Sequence, residues 1–297
     1  MSQEEANRST SQIKSWLKGF PLIVKLKKRV WPFFDGSGGL SLLNVAQTFS
    51  AYTPLFSGAY REKARLTVDA INQVFPVLNS LVRHLGNKEF EVENIENLSA
   101  DSKNKASSEK LKELLDHYGS DKANHHNYHH IYGAILQNQR EIGKIFEIGL
   151  GTNNTDVVSN MGSNGKPGAS LRAFRDFCPN ASVYGADVDR RVLFEEERIK
   201  TFFVDQTKPE TFDAILTEVS NDFDLVIDDG LHSPNANISS LEFGLKIIKV
   251  GGWVVVEDIG VDATSVWQLV SALLPESYES HIFFADGYIV YAVNRIK

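Results

Sequence analysis

The sequence predicts an α/β fold built on a seven-stranded, mostly parallel sheet with an antiparallel C-terminal strand. From residue 144 onward, short β-rich runs alternate with segments that are long enough for crossover helices. The last two runs are separated only by Asp286 and Gly287, which indicates a tight hairpin and therefore antiparallel pairing. This Rossmann-like arrangement follows a mainly helical N-terminal region.

The strands are predicted from apolar runs that are nearly continuous. Such runs are typical of parallel strands that helices cover on both faces. In chain order, the predicted strands are KIFEIGL, SVYGADV, IKTFFVD, FDLVIDD, GGWVVVEDI, SHIFFA and YIVYAVN.

Three regions are predicted along the chain. Residues 1–95 form a helical region of unassigned role, with a helix over Tyr60–Leu85 whose apolar residues recur near a 3.6-residue period. Residues 96–110, ENLSADSKNKASSEK, have the composition of a polar linker. Residues 111–297 hold the α/β domain.

Lysines and arginines lie among apolar residues in Ile13–Phe34. This pattern is typical of a helix on a membrane surface, or of one packed on its own or a neighbouring subunit. Pro21 limits a long continuous helix and favours the packed alternative, which is compatible with a homo-oligomer.

Composition limits the class of protein. The hydrophobic share of 42% and the charged share of 23% are those of an ordinary soluble chain. A net charge of -7 argues against a nucleic-acid partner, which usually requires a basic face. The sequence has no apolar run of membrane-spanning length and no signal-peptide pattern, and its one cysteine, Cys178, excludes an internal disulfide. We expect a cytoplasmic location.

The first strand ends in FEIGLG, in which Gly149 and Gly151 allow a sharp turn and close approach to a ligand. Asn154 stands where the dinucleotide fingerprint requires a third glycine, which argues against a nicotinamide enzyme. Glu147, inside this strand, and Asp187, at the end of the second strand, are predicted cofactor ligands. A carboxylate at the position of Asp187 can bind the ribose hydroxyls that nicotinamide and methionine cofactors share.

Further residues are assigned to the same cofactor site. Asp205 and Gln206 end the third strand, where they could contact an adenine amino group, and Asp228 ends the fourth strand. The segment 152–170 is longer than the turn into the next helix requires. It is either a lid or binding loop, or a tolerated insertion.

Two acidic motifs, DDGLH (228–232) and VEDI (256–259), follow strong strands and should meet at the carboxyl edge of the sheet. Asp229, Glu257 and Asp258 would then converge. Crowded carboxylates repel one another, and a magnesium-like divalent cation resolves that conflict with oxygen ligands. These three residues are the predicted metal ligands; the alternative is a set of ordinary strand-end acids.

His232 lies three residues after Asp229, close to the predicted cation. An imidazole titrates near neutral pH and can take a proton from an acceptor hydroxyl, so His232 is the predicted catalytic base. The alternative is a histidine that simply lies on the surface.

EIGLG, GADVD, DDGLH and VEDI, in this order, resemble the class I, metal-dependent O-methyltransferases that act on sugars of macrolide antibiotics, the macrocin and mycinamicin type. The resemblance covers about residues 115–260 and includes the run HYGSDKANHHNYHHIY. It implies S-adenosyl-L-methionine as the cofactor, Mg²⁺ or another divalent cation, and a small-molecule hydroxyl acceptor on a glycoside. It also implies that Glu147 serves the amino-acid end of the cofactor, and that His232 is the base.

Four histidines occur within residues 125–130, without the cysteines or the HExxH pattern of zinc sites. We interpret this run as part of a segment over the cofactor mouth, with Asp121, Lys122 and Tyr128 as pocket contacts. Two other functions are weighed against methyl transfer. One is a NAD-dependent oxidoreductase or epimerase, for which the expected Tyr-x-x-x-Lys pair is missing, and the other is a non-catalytic scaffold that uses the N-terminal helices.

Overall fold

The structure, a computed structural model, describes residues 60–85 and 90–297, with side chains from residue 65 onward. Ile13–Phe34 lies outside the described residues. The chain divides into two compact units, 1–74 and 75–297. Helix α1 spans Tyr60–His84, which confirms the helix predicted over these residues.

The described residues form one nine-stranded sheet with the order β1-β8-β9-β7-β6-β2-β3-β5-β4. The strands are β1 (Val92–Asn94), β2 (Lys144–Ile148), β3 (Ser182–Asp187), β4 (Glu195–Glu196), β5 (Ile199–Phe203), β6 (Phe223–Asp228), β7 (Ile248–Gly260), β8 (Tyr278–Ala285) and β9 (Tyr288–Arg295). All seven predicted strands are present, and the two additional ones, β1 and β4, are short edge strands that carry no apolar run.

The strand directions confirm the predicted fold class. Strands β7, β6, β2, β3 and β5 pair in parallel. Strand β9 runs antiparallel to both neighbours, β7 and β8, because the hairpin at Asp286 and Gly287 reverses the chain. The result is a Rossmann-like, mostly parallel sheet with an antiparallel C-terminal strand.

Helices cover both faces of the sheet, because neighbouring residues in its strands alternate between two apolar cores. Ile145 and Leu225 pack with α2, α3 and α4 on one face, whereas Phe146 and Val226 pack with α5, α6 and α7 on the other. These helices span Ser102–Tyr118 (α2), His129–Ile135 (α3), Ala169–Phe177 (α4), Glu210–Leu216 (α5), Pro234–Ile247 (α6) and Thr264–Leu273 (α7).

The segment predicted as a polar linker, 96–110, is helical. A 3₁₀ helix covers Ile95–Ser99, and Asp101 then caps α2 by accepting hydrogen bonds from the backbone of Lys103 and Asn104. Ser107 and Ser108 are buried against α3, where a Cβ on Gly133 would lie 2.5 Å from the Cα of Ser108. Small polar residues are needed at this close helix contact, and they give the segment the composition of a linker.

No helix within residues 60–85 and 90–297 combines the length and the hydropathy that a membrane span requires. The buried Cys178 is a free thiol.

His129, in α3, is buried, with its ring centroid 4.1 Å from that of His130. Burial, with a smaller effect from His130, lowers the pKa of His129 from 6.5 to about 4. Above about pH 6.5, the imidazole is neutral in both the folded and the unfolded chain. As the pH falls from 6.5 towards 4, the unfolded chain binds the proton first, so the folded chain loses stability in this window.

We therefore expect His129→Gln to reduce the loss of stability caused by acid. Between about pH 7.5 and about pH 5, the free energy of unfolding should fall about 2 kcal/mol less in this variant than in the wild type. Urea unfolding at the two pH values measures the difference, and His117→Gln, at an exposed position of α2, is the control. Equal pH dependence in the wild type and His129→Gln would contradict the buried neutral state of His129.

Candidate active site

The carboxyl ends of β2, β6 and β7 meet at one edge of the sheet. The backbone N–H of Asp229 donates to the carbonyl of Ile148 at 2.8 Å, and that of Gly149 donates to Ala186 at 2.7 Å. Asp228 on β6 pairs in register with Val256 on β7. The next residue in the chain is Asp229 after Asp228 and Glu257 after Val256. Asp229 and Glu257 are therefore neighbours, as the two motifs predicted.

The side chains of Asp229, His232 and Asp258 come together at this edge. One potential ligand atom from each lies within 4.8 Å of the others. His232 Nε2 lies 3.9 Å from Asp229 Oδ1 and 3.9 Å from Asp258 Oδ2, and the three side chains are 20–27% exposed. The group could hold a divalent cation and leave coordination positions open on its solvent side.

Two of these residues have unusual backbone conformations. His232 has φ 55° and Asp258 has φ 53°, in the left-handed region that non-glycine residues rarely occupy. The β7–β9 register shifts between Val256 and Ile259, so Asp258 lies in a β-bulge. Bulges re-aim side chains. This backbone strain accompanies the position of Asp258 next to Asp229.

Lys122 lies at the centre of a second set of carboxylates. Its side chain is 2% exposed, and its Nζ is 2.5 Å from Asp229 Oδ2, 2.6 Å from Glu257 Oε2 and 3.1 Å from Glu147 Oε1. Burial alone would lower the pKa of Lys122, but the surrounding carboxylates raise it well above its ordinary value. The sequence indicated Lys122 only as a pocket contact, without this central role.

Glu257 is buried, and both of its carboxylate oxygens accept protein donors. Oε2 accepts from Lys122, and Oε1 accepts from the hydroxyl of Tyr132. Tyr128 similarly donates to Asp258 Oδ1 at 2.5 Å. The group that has metal-ligand spacing consists of Asp229, His232 and Asp258. It thus contains two of the three predicted metal ligands, Asp229 and Asp258. The third, Glu257, is adjacent to the group in the chain.

The charges at this edge fit a bound divalent cation. Three carboxylates, those of Glu147, Asp229 and Glu257, surround the ammonium of Lys122, and a fourth, that of Asp258, lies beside Asp229. When all are ionised, the negative charges exceed the positive charge by three. Carboxylate oxygens are the preferred ligands of Mg²⁺, so a divalent cation between Asp229 and Asp258 would offset two of these three charges.

The predicted ribose ligand, Asp187, supports the glycine turn. Its Oδ2 accepts from the backbone of Leu150 at 2.8 Å, and its Oδ1 accepts from the backbone of Asp189 at 2.8 Å. Gly149 and Gly151 have φ values of 94° and 75°. These contacts hold the turn in a form that brings the backbone close to a ligand, which fits a nucleoside cofactor. Asp187 is 7% exposed.

The other predicted cofactor residues bind mainly to neighbouring protein groups. Gln206 donates to Asp228 Oδ1 and to Ser240, each at 2.6 Å, and accepts from the backbone of Leu231. Burial raises the pKa of Asp228 to about 6. Asp205, two residues after the end of β5, instead accepts from Thr207 and Lys208 in a local turn.

The long loop after Gly151 lies across this same edge. Thr152 Oγ1 donates to Asp189 at 2.7 Å, and Ser159 Oγ donates to the carbonyl of Gly230 at 3.1 Å. A Cβ on Gly151 would lie 1.9 Å from the sulfur of Met161, so this loop residue packs directly on the glycine turn. The loop therefore contacts the segments that follow β3 and β6.

The histidines of the run 125–130 do not act as one group. His126 Nδ1 lies 3.4 Å from Asp258 Oδ1, and its ring stacks on Tyr128 with a centroid distance of 5.2 Å. His129 and His130 instead pack together in α3. Among the described residues, the group with metal-ligand spacing contains none of these histidines.

Sequence comparisons agree with the predicted resemblance, over part of the chain. No protein-family model matches the chain. Mycinamicin VI 2''-O-methyltransferase of Micromonospora griseorubida is 37% identical over 93 residues, and demethylmacrocin O-methyltransferase of Streptomyces fradiae is 35% identical over 95 residues. Each match covers 31% of this chain and 23% of the relative. The chain thus spans about a quarter of the length of these two relatives.

A third relative and a solved structure extend the comparison. The 8-demethyl-8-alpha-L-rhamnosyl tetracenomycin-C 2'-O-methyltransferase of Streptomyces olivaceus is 28% identical, over 50% of this chain and 37% of its own. The MycE methyltransferase of mycinamycin biosynthesis, solved with Mg, SAH and mycinamycin VI, superposes with a TM-score of 0.51 at 24% identity. That match covers 63% of this chain and 53% of MycE, and it confirms the methyltransferase-like fold.

We expect Gly149→Ala to destabilise the protein more than Gly162→Ala does. Both glycines have positive φ, so both variants carry a cost of about 1–2 kcal/mol from the left-handed backbone. A Cβ at Gly149 would also lie 2.0 Å from the carbonyl oxygen of Asp229, whereas a Cβ at Gly162 meets nothing within 4 Å. The clash should add about 1–3 kcal/mol to the loss in the free energy of unfolding.

Denaturant unfolding of the two variants measures this difference. Equal losses would show that the ends of β2 and β6 are not in the close contact described above.

Proposed function

We propose that the protein is an S-adenosyl-L-methionine-dependent, divalent-metal-assisted O-methyltransferase that acts on a hydroxyl of a sugar or a related polyol-bearing metabolite. One observation carries the proposal: Asp229, His232 and Asp258 meet within 4.8 Å at the strand edge that also holds the glycine turn. The names of the three relatives, all O-methyltransferases, support methyl transfer and a glycosidic acceptor.

The cofactor would be held by residues at the ends of the first four predicted strands. Bound S-adenosylmethionine supplies an electrophilic methyl group. We assign Glu147 to its amino-acid end and Asp187 to its ribose, while the backbone of the glycine turn makes the close approach. The cofactor residues in this proposal are Glu147, Gly149, Gly151, Asp187, Asp205, Gln206 and Asp228.

The cation would be held by Asp229 and Asp258, with Glu257 as the third predicted ligand. A bound divalent cation lowers the pKa of a hydroxyl that it contacts. Both aspartates keep part of their surface exposed, so an acceptor hydroxyl can reach this place. His232 Nε2 also faces it, which suits the removal of the hydroxyl proton by the imidazole.

The domain limits and the location of the protein are also proposals. Every residue assigned to the cofactor, the cation and the base lies within the predicted range 111–297. Because β1 pairs with β8 and α2 begins at Ser102, we extend the proposed methyltransferase domain to 92–297 and leave the role of the preceding residues open. We propose that the enzyme works in the cytoplasm as a homo-oligomer, with no nucleic-acid partner. The net charge of -7 argues against a nucleic-acid partner, and the single cysteine supports a reducing compartment.

We expect the protein to bind S-adenosylhomocysteine and not NAD in calorimetric titrations. With Mg²⁺ and cofactor that carries a deuterated methyl group, incubation with glycoside-containing extracts should give a product heavier by one labelled methyl group. Chelation should abolish this product while most of the affinity for S-adenosylhomocysteine remains, because the two sites use different residues.

The rival functions predict other results. Preference for NAD would favour an oxidoreductase or epimerase, and methyl transfer in excess EDTA, with metal removal verified, would exclude the cation from the reaction. A scaffold would keep its biological activity in Asp229→Ala but lose it when residues 1–95 are deleted.

We expect His232→Ala to lower turnover on the order of a hundredfold, as the loss of a general base does. The affinity for Mn²⁺, measured by electron paramagnetic resonance, should change little, because the base is not a ligand in this proposal. Glu257→Gln should weaken Mn²⁺ binding by about 10- to 100-fold. His117→Ala, an exposed position, is the control for both measurements.

The reverse pattern would contradict this assignment. Strong loss of Mn²⁺ affinity in His232→Ala, with little change in Glu257→Gln, would mean that the imidazole completes the metal site and that Glu257 does not.

A further inference from the structure

Lys122 is a buried ammonium that contacts residues of two proposed sites. Glu147, at 3.1 Å, is assigned to the cofactor, whereas Asp229, at 2.5 Å, is assigned to the cation. Glu257 completes the set at 2.6 Å. These acids come from β2, the end of β6 and β7, so the one ammonium links three strand ends.

Each of the three carboxylates uses one oxygen for Lys122 and presents the other elsewhere. Asp229 binds the ammonium through Oδ2, while its Oδ1 faces His232. Glu147 faces Lys122 through Oε1 and accepts from Ser170 through Oε2. The contact with Lys122 occupies Oδ2 of Asp229 and leaves Oδ1 as the oxygen that faces the proposed cation.

The position of the ammonium is itself fixed by the backbone around it. The carbonyl of Lys122 accepts from the backbone N–H of Tyr128 at 2.8 Å, and Ser120, two residues earlier, is buried. Gly119 ends α2 with φ 79°, which turns the chain towards the sheet edge. A lysine held in this way can act as a fixed positive charge instead of a mobile surface group.

Without this charge, the three carboxylates would repel one another in surroundings where water screens little. Two unit charges a few ångströms apart interact far more strongly in a protein interior than in water. Glu147 and Glu257 are at most 1% exposed, so they cannot turn towards solvent to relieve the repulsion. Their displacement would disturb the cofactor and the cation residues together.

We propose that Lys122 is a positioning residue that holds the cofactor acid Glu147 and the cation ligand Asp229 in their binding orientations through one shared ammonium. This inference rests on the function proposed above, because it takes both site assignments from it. Lys122 contacts neither substrate nor cofactor in this role and acts through the carboxylates.

The test is the binding of two separate probes to Lys122→Met. We expect the affinity for S-adenosylhomocysteine, measured by calorimetry, and the affinity for Mn²⁺, measured by electron paramagnetic resonance, each to fall by about 10- to 100-fold. Lys246→Met removes an exposed lysine that pairs with Glu242 on α6, and should bind both probes as the wild type does.

A double-mutant cycle separates positioning from general destabilisation. If Lys122 acts through Glu147, Lys122→Met combined with Glu147→Gln should bind S-adenosylhomocysteine no more weakly than the weaker single variant. Additive losses would overturn the proposal, and so would affinities of Lys122→Met for both probes that match those of the wild type.

A charge-compensated variant covers the case in which Lys122→Met does not fold. Lys122→Met with Glu257→Gln removes one buried negative charge together with the positive one, and is compared with Glu257→Gln alone. We expect the double variant to bind both probes more weakly than Glu257→Gln does. Equal affinities of the two variants would overturn the proposal. Wild-type protein that binds no S-adenosylhomocysteine would refute the proposed function and, with it, this role of Lys122.

Discussion

The burial of negative charge at one edge of the sheet is the constraint on which the rest of the site depends. Glu147 and Glu257 are almost fully buried, and Asp229 shares the ammonium of Lys122 with both. Breaking a buried ion pair by removing one partner costs about 3–5 kcal/mol, because it leaves an uncompensated charge. Cations that accompany the acids therefore stabilise the arrangement. Lys122 supplies one positive charge, and the proposed divalent ion would supply two more at the exposed end.

The fold brings the acids together by strand register and alternation. Ile145, Ile227 and Val255 point to the face that is covered by α2, α3 and α4. Two residues further along each strand, Glu147, Asp229 and Glu257 point the same way, which explains why all three reach Lys122. Asp258 would point to the opposite face by this rule. The bulge and the positive φ at this residue break the alternation, and Asp258 reaches His232 instead.

Features of the fold that produce a regular pattern of apolar residues could be predicted from the sequence. It predicted the seven main strands, the C-terminal hairpin and the meeting of the DDGLH and VEDI motifs. It did not predict the helix over 102–110, because the polar serines there mark a close helix contact that only the partner, Gly133, explains. Nor did it predict the centre of the carboxylate cluster. Lys122 lies 107 residues before Asp229 and 135 before Glu257, so no local spacing relates them.

The site therefore combines two parts of the chain with different tasks. The sheet supplies carboxylates, whose positions follow from parallel strand order. The segment from Lys122 to Tyr132 supplies the donors: Lys122 to Asp229 and Glu257, Tyr128 to Asp258, and Tyr132 to Glu257. Lys122 occupies Oδ2 of Asp229 and Tyr128 occupies Oδ1 of Asp258, and the other oxygen of each aspartate lies 3.9 Å from His232 Nε2. A change in this short segment would alter the cation site without any change in the sheet. The acids alone are therefore an incomplete signature of this site, because Lys122, Tyr128 and Tyr132, which precede β2, also belong to it.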